Sequence, residues 1–283
     1  MPPRTAPTYR QVRLGTEIRR MRTAAGMTAE TAARLLGVDR GKISNIESGT
    51  RAINEDRLRT LALNCACEDT AYVDGLVDMA RPSPRGWWEE YRGKLPPGML
   101  DITELEWHAI SLASTQTVHL PGLLQTEEYS RLIFGAVLPP LPRLEIELRT
   151  AHRQERTQVI NGDRPKPYLA YIHEAALRML FGGRATTREQ LTHLIEQGER
   201  EHISVRVITV EHGMFPGTGS TLLYADAAVP NLATAQLDSA HGPGFLDAPA
   251  QLAKYRSHLA WLDKTALSDS ESRQFIHSII QEL

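Results

Sequence analysis

In the stretch Arg40-Gly41-Lys42-Ile43-Ser44-Asn45-Ile46-Glu47, Ile43 and Ile46 fall on one side of a helix. Arg40, Lys42, Ser44 and Asn45 fall on the other. The outward ridge is cationic and polar, with no surplus apolar surface. Such a ridge fits the major groove of double-stranded DNA, where Arg reads guanine and Asn reads adenine through paired hydrogen bonds. Residue types suited to catalysis do not assemble in the same way. His173-Glu174-Ala175-Ala176-Leu177 lacks the second His that a zinc-protease helix needs four residues after the first. The glycines from Gly213 to Gly219 enclose Pro216 and precede no Lys-Ser/Thr, so they read as a turn and not a phosphate loop. No Gly-x-Ser-x-Gly elbow is present, and the ten histidines are scattered. Glu174, at a strand–helix junction, is open to two readings: a pocket carboxylate or a favourable charge at a helix start. Cys65 and Cys67, one residue apart, suit neither a staple nor a zinc knuckle and read as small residues in a reducing compartment. No catalytic residue, metal or cofactor is expected.

The elements that must hold the cationic ridge are legible around it. Leu14, Ile18, Met21 and Ala25 recur at helical spacing, and Gly26 closes that helix. Thr28 caps a second helix, with Glu30 in its favourable first turn and Ala32, Leu35 and Leu36 along its apolar stripe. Gly37 supplies the tight turn. Asp39 caps the third helix, Val38 and Ile43 are placed as a hydrophobic staple, and Gly49 ends it. Asn54 repeats the cap before a fourth helix cored by Leu58, Leu61 and Ala62. Two short helices across a glycine turn, with two more packed around them, make a helix-turn-helix bundle.

Composition fits two domains. The chain has 283 residues, 41% apolar and 23% charged, with a net charge of −2. The charge is unevenly placed: residues 1–63 carry +6 and the remainder −8. A basic block on an acidic body leaves the first part alone to face a polyanion. No apolar run reaches the ~18 residues of a membrane span, and residues 1–12 have arginines without an apolar core to follow. A cytoplasmic protein without membrane partners is therefore expected.

Residues 14–63 resemble the XRE (Cro/C1-type) helix-turn-helix family. The match is carried by Arg22, Gly26-Met27-Thr28, Ala33, Leu36-Gly37-Val38, Lys42-Ile43-Ser44 and Ile46-Glu47-Ser48-Gly49. The resemblance implies that Arg40, Ser44 and Asn45 face bases while Lys42 and Arg51 face phosphates. It also implies a largely buried ion pair between Arg22 and Glu47; Glu47 is otherwise a solvated carboxylate at a helix end. Ala29 stands where the family has a phosphate-clamping Gln, which leaves Thr28 and Ala29 to meet a phosphate through backbone N–H. Gly41 stands where a reading side chain is common and removes one base contact.

Arg81-Pro82-Ser83-Pro84-Arg85-Gly86 cannot continue a helix. With Trp87-Trp88, Tyr91 and the interruption at Pro96-Pro97-Gly98 it makes residues 81–100 a Pro/Trp-rich linker between a domain at 1–80 and one at 101–283. Clustered aromatics there suit docking of one domain onto another better than stacking on nucleobases. In the body, Ile102, Leu105, Ala109 and Leu112 mark a helix and Val118-His119-Leu120 a short strand. Further helices are expected at 126–132, 143–159, 174–180, 189–198, 252–262 and 271–280. Further strands are expected at 168–172, 205–210, 221–224 and 232–237. The expected fold is therefore multidomain: an all-α bundle followed by an α+β domain with a mostly antiparallel sheet.

Leu120-Pro121-Gly122-Leu123-Leu124-Gln125-Thr126-Glu127-Glu128-Tyr129 resembles the hallmark of the DUF5753 domain. Residues 149–154, Glu174-Ala175-Ala176-Leu177-Arg178 and the pair Gln190-Leu191 with Leu194 match that domain in the same order. Thr221 and Gln236 depart from it, standing where an aromatic and an acid are expected. The combination is similar to the Scr1-type antitoxin-like regulators of actinobacteria. It implies a DNA-binding transcriptional regulator, dimeric on an inverted-repeat operator, whose second domain controls oligomerisation or senses a ligand or partner. The alternative it implies is an antitoxin that binds a small DUF397-type partner protein and regulates its own operon.

Overall fold

The computed structural model describes residues 6–81, 86–215, 219–239 and 241–283. The chain divides into two compact units, Met1–Glu89 with Ala228–Leu232, and Glu90–Ala227 with Ala233–Leu283. Of the proline segment, Pro82, Ser83, Pro84 and Arg85 lie outside the described residues, as does Pro216 of the glycine turn.

The first unit is built from α1 (Tyr9–Ala24), α2 (Ala29–Leu35), α3 (Arg40–Glu47), α4 (Glu55–Asn64) and α5 (Thr70–Ala80). Each begins on a side-chain cap: Thr8, Thr28, Asp39, Asn54 and Asp69 accept from the third N–H of the helix that follows. A cap of this kind contributes about 1 kcal/mol, so short helices such as α2 and α3 start where their sequence says. Ile18, Ala32, Ile43, Leu58, Leu61 and Leu76 form the core between them. Ala25 does not share it; exposed, it is the C-cap of α1. α5 comes in addition to the four helices expected from sequence, although Asp69 and the spacing of Val73, Leu76 and Val77 announce it. Cys65 is buried against the core, and both cysteines are free thiols.

The second unit opens inside the expected linker. The 3-10 turn Trp87–Tyr91 straddles the boundary at Glu90, and α6 runs from Pro97 to His108 within the second unit. Pro96-Pro97-Gly98 starts this helix instead of interrupting the chain, because a proline in the first turn has no intrahelical N–H to lose. Tyr91 packs edge-on against His152, ring centres 4.9 Å apart. There follow β1 (Leu112–Gln116), α7 (Glu127–Gly135), α8 (Arg143–Arg156), α9 (Gln158–Asn161), β2 (Tyr168–His173), α10 (Glu174–Arg178), α11 (Gly183–Gln197) and β3 (Ile203–Ile208). The chain ends with β4 (Leu222–Ala225), β5 (Thr234–Ser239), β6 (Gly242–Leu246), α12 (Pro249–Thr265) and α13 (Asp269–Glu282).

Among the described residues these strands make one six-stranded sheet in the order β3-β2-β1-β4-β5-β6. The expectation of a mostly antiparallel sheet holds for three of the five pairings and misses the parallel half. β1–β2 and β2–β3 pair parallel, whereas β1–β4, β4–β5 and β5–β6 pair antiparallel, so the sheet is mixed. The parallel half arises where helices carry the chain back between strands: α7 to α9 separate β1 from β2, and α10 and α11 separate β2 from β3. Leu112 opens β1 and does not close a helix, and Val118-His119-Leu120 is not a strand. Ser114, Thr115 and Gln116 are buried in β1, and so polar a strand carries little apolar signal. Ala170, Ile172, Val205 and Val207 pack into the main core on one face; Leu222, Tyr224, Ala235 and Leu252 pack on the other.

Candidate nucleic-acid interface

α2 ends at Leu35, Gly37 takes a φ of +61° that only glycine adopts cheaply, and Asp39 opens α3 by accepting from Lys42 N–H at 2.8 Å. That turn presents α3 with Ile43 and Ile46 buried and Arg40, Gly41, Ser44 and Asn45 exposed. Arg40 and Ser44 are four residues apart, so they stand on one line of the helix, with Gly41 and Asn45 on the next. Lys42, half-buried, leans on Asp39 with Nζ 3.2 Å from the carboxylate. Arg51 follows α3 and is exposed; its N–H donates to the Asn45 carbonyl at 3.0 Å, which fixes its backbone beside the helix end. Among the described residues, Arg40 and Arg51 have no ion-pair partner. At the start of α2, Thr28 is exposed and Ala29 half-buried, and the Thr28 hydroxyl is engaged by Thr31.

α3 is held from behind by α1. Arg22 donates Nε to Glu47 Oε1 at 2.5 Å and Nη2 to Oε2 at 3.0 Å, and its Nη1 reaches the Met27 carbonyl at 2.6 Å. The Glu47 hydrogen bond raises the Arg22 pKa against the cost of burial, so the guanidinium stays charged. Gly15 makes a closer fit possible than any other residue allows. A Cβ there would lie 2.5 Å from the Glu47 carbonyl oxygen and 2.6 Å from that of Ile46. Gly49, at φ +74°, would meet the backbone of Gln11 and Val12 at 2.7 Å in the same way.

A second buried ionic cluster lies on α1, and the sequence reading does not single it out. Glu17 accepts from Arg13, from Arg20 at 2.5 Å and from the Tyr72 hydroxyl at 2.6 Å. Arg13 also donates to the Asn231 carbonyl at 2.9 Å, within the same unit. Burial, and then Glu17, push the Tyr72 hydroxyl far above its usual pKa, so it remains a donor. The i, i+4 spacing of Arg13 and Glu17 was the available signal; the partners on α5 and at Asn231 were not visible from spacing.

In the second unit the hallmark stretch is a hydrogen-bond hub. Gln125 is buried, donates Nε2 to the Leu120 carbonyl at 2.7 Å, and accepts from Ser130 at 3.2 Å and Arg153 at 2.5 Å. Gln154 donates to the Gln125 carbonyl, and Gln190 both donates to the Leu124 carbonyl and accepts from Thr126 N–H. Three separate motif stretches thus close on the connection after β1. Burial, then Arg156, lowers the Arg153 pKa to about 9, and its guanidinium lies 4.2 Å from the Phe134 ring centre. Glu174 accepts from Val210 N–H at 3.0 Å and Arg178 at 2.7 Å, which engages both of its oxygens within the fold.

A family model described as Domain of unknown function (DUF5753) matches residues 99–278. A second, described as Helix-turn-helix domain, matches residues 13–70. No curated protein and no solved structure matches the chain. Among the described residues, no helix is long and apolar enough to cross a membrane.

Proposed function

The chain belongs to the DUF5753 family and carries a helix-turn-helix domain ahead of that region, and from this premise we propose a sequence-specific transcriptional regulator that binds an inverted-repeat operator as a homodimer. The observation that carries the reading is the outward face of α3. Arg40, Ser44 and Asn45 stand exposed on it, and the basic share of the net charge lies in the same domain. Arg40 and Asn45 have the donor geometry for guanine and adenine edges, and Ser44 suits either. Lys42 and Arg51 are assigned to phosphates, which orient the domain without reading sequence. Thr28 and Ala29 at the start of α2 are assigned to one further phosphate contact.

The second unit is the regulatory half. Its net negative charge makes broad contact with phosphates unfavourable, so its influence on DNA runs through self-association or a bound molecule. Joining two half-site readers makes the second binding event intramolecular, which raises affinity by ~10²–10⁴ without a new base contact. Selection of duplexes from a random pool by the full chain, followed by footprinting, tests the proposal. Protection of two half-sites supports it; a single protected site, or none, refutes it.

A further inference from the structure

Between the sheet and α12 lies a cavity of about 290 Å³. Its floor is Thr115 of β1, Leu222 of β4 and Leu237 of β5; Lys254, Tyr255 and His258 of α12 form the opposite wall. Thr115 is 3% exposed, and its hydroxyl has no hydrogen-bond partner among the described residues. An unpaired buried hydroxyl costs stability and keeps its hydrogen-bonding capacity for a molecule that reaches it. Lys254 is exposed and has no ion-pair partner among the described residues. Lys254 and His258 are four residues apart on one helix and share its face. Tyr255 and His258 rings meet edge-on at 5.6 Å, which gives that wall an aromatic surface. Burial, then Lys254, keeps the His258 imidazole below its usual pKa, so Lys254 supplies the positive charge of the site.

The place in the fold agrees. Thr115 is the penultimate residue of β1, between Tyr171 of parallel β2 and Leu222 of antiparallel β4. β1 is where the chain changes the side on which strands are added. In open α/β sheets, ligands gather at the carboxyl ends of strands at such a switch point.

We propose that this cavity binds a small organic carboxylate with an apolar body. The carboxylate offers acceptors to the Thr115 hydroxyl and the Lys254 ammonium, while an alkyl or phenyl body covers Leu222 and Leu237. The volume is near the lower end for small-molecule sites, ~300 Å³, and admits on the order of ten non-hydrogen atoms. That the ligand regulates DNA binding rests on the reading above; that it binds does not.

Calorimetry on the full chain with 3-phenylpropionate and octanoate tests the site, with 3-phenylpropanol as the uncharged control. At least one carboxylate should saturate, and the alcohol should bind about tenfold more weakly or worse. Lys254→Gln should lose about tenfold in affinity. Thr115→Val, nearly equal in volume, should bind about fivefold more weakly and yet melt higher without ligand, because the orphan hydroxyl is gone. A merely structural Thr115 would melt lower on that change. Failure of both carboxylates to saturate, or unaltered affinity in Thr115→Val, overturns the site. Intact binding with unchanged operator affinity upholds the site and overturns the sensing role.

Discussion

Glu47, the last residue of α3, receives both hydrogen bonds of a forked guanidinium from Arg22 on α1, and Arg22 Nη1 also donates to the Met27 carbonyl at the turn into α2. One arginine thus sets the position of the outward helix relative to the two before it. Each side chain of the pair is 10% exposed, so removing one partner strands a largely buried charge. Arg22→Met or Glu47→Gln should each cost ~3–5 kcal/mol of stability in the first unit. The double variant should recover part of that loss. Amide hydrogen exchange across α3 in the full chain reads this locally. Simple additivity of the two single losses would count against a coupled pair.

Gly15 makes a sharper, purely steric prediction. An alanine methyl would sit 2.5 Å from the Glu47 carbonyl oxygen, a backbone atom that cannot swing aside. α1 must then lift from α3, at a cost of ~1–3 kcal/mol. Gly15→Ala should weaken operator binding by the same proportion for every sequence, because the side chains proposed to read bases are displaced together and not replaced. Unchanged exchange protection in α3 would show that the helices are not held in backbone contact.

Local features of this fold are legible in the sequence, and those that depend on distant segments are not. Asp39, Thr28 and Asn54 declare their helices because a cap acts on its own next turn. Gly15 and the Arg13–Glu17–Tyr72 cluster were missed because they matter only once distant segments meet. β1 was missed because Ser114, Thr115 and Gln116 are polar yet buried, which defeats a reading by apolar alternation. β6 hides for another reason: Gly242, Pro243 and Gly244 read as loop, and only pairing to β5 at the sheet edge makes them a strand. In the second unit the hallmark Gln125 was visible as a motif, but its partners Arg153, Gln154 and Ser130 were not tied to it by spacing.

His152 gives the body a defined response to acid. It is buried with Nε2 3.1 Å from the Thr103 hydroxyl, and burial, then Arg156 and Arg153, push its pKa from 6.5 down to about 3. Between those values the unfolded chain binds a proton that the folded chain refuses. Stability therefore falls as pH drops through that window, by up to ~1.4 kcal/mol per pH unit, and the group contributes no slope above it. His152→Gln, which keeps a neutral side chain beside Thr103, should flatten the slope of melting temperature between pH 6 and 4 in circular dichroism, about where the two states differ most. Parallel slopes for the two proteins would mean that His152 titrates normally in the fold.

In the proposed complex α3 reads bases while Lys42 and Arg51 hold phosphates. The most direct test measures operator affinity for the full chain, Arg40→Ala, Asn45→Ala and Lys42→Ala, on the selected site and each single-base variant, from about 50 to 200 mM salt. The two half-sites should lie one helical turn apart, ~34 Å, and affinity should fall steeply with salt. Arg40→Ala and Asn45→Ala should each lose ~1–3 kcal/mol on the selected site and become indifferent to the base at one position. Lys42→Ala should weaken every variant alike and flatten the salt slope. Equal proportional losses for Arg40→Ala on every variant, or an affinity indifferent to salt, would contradict the claim.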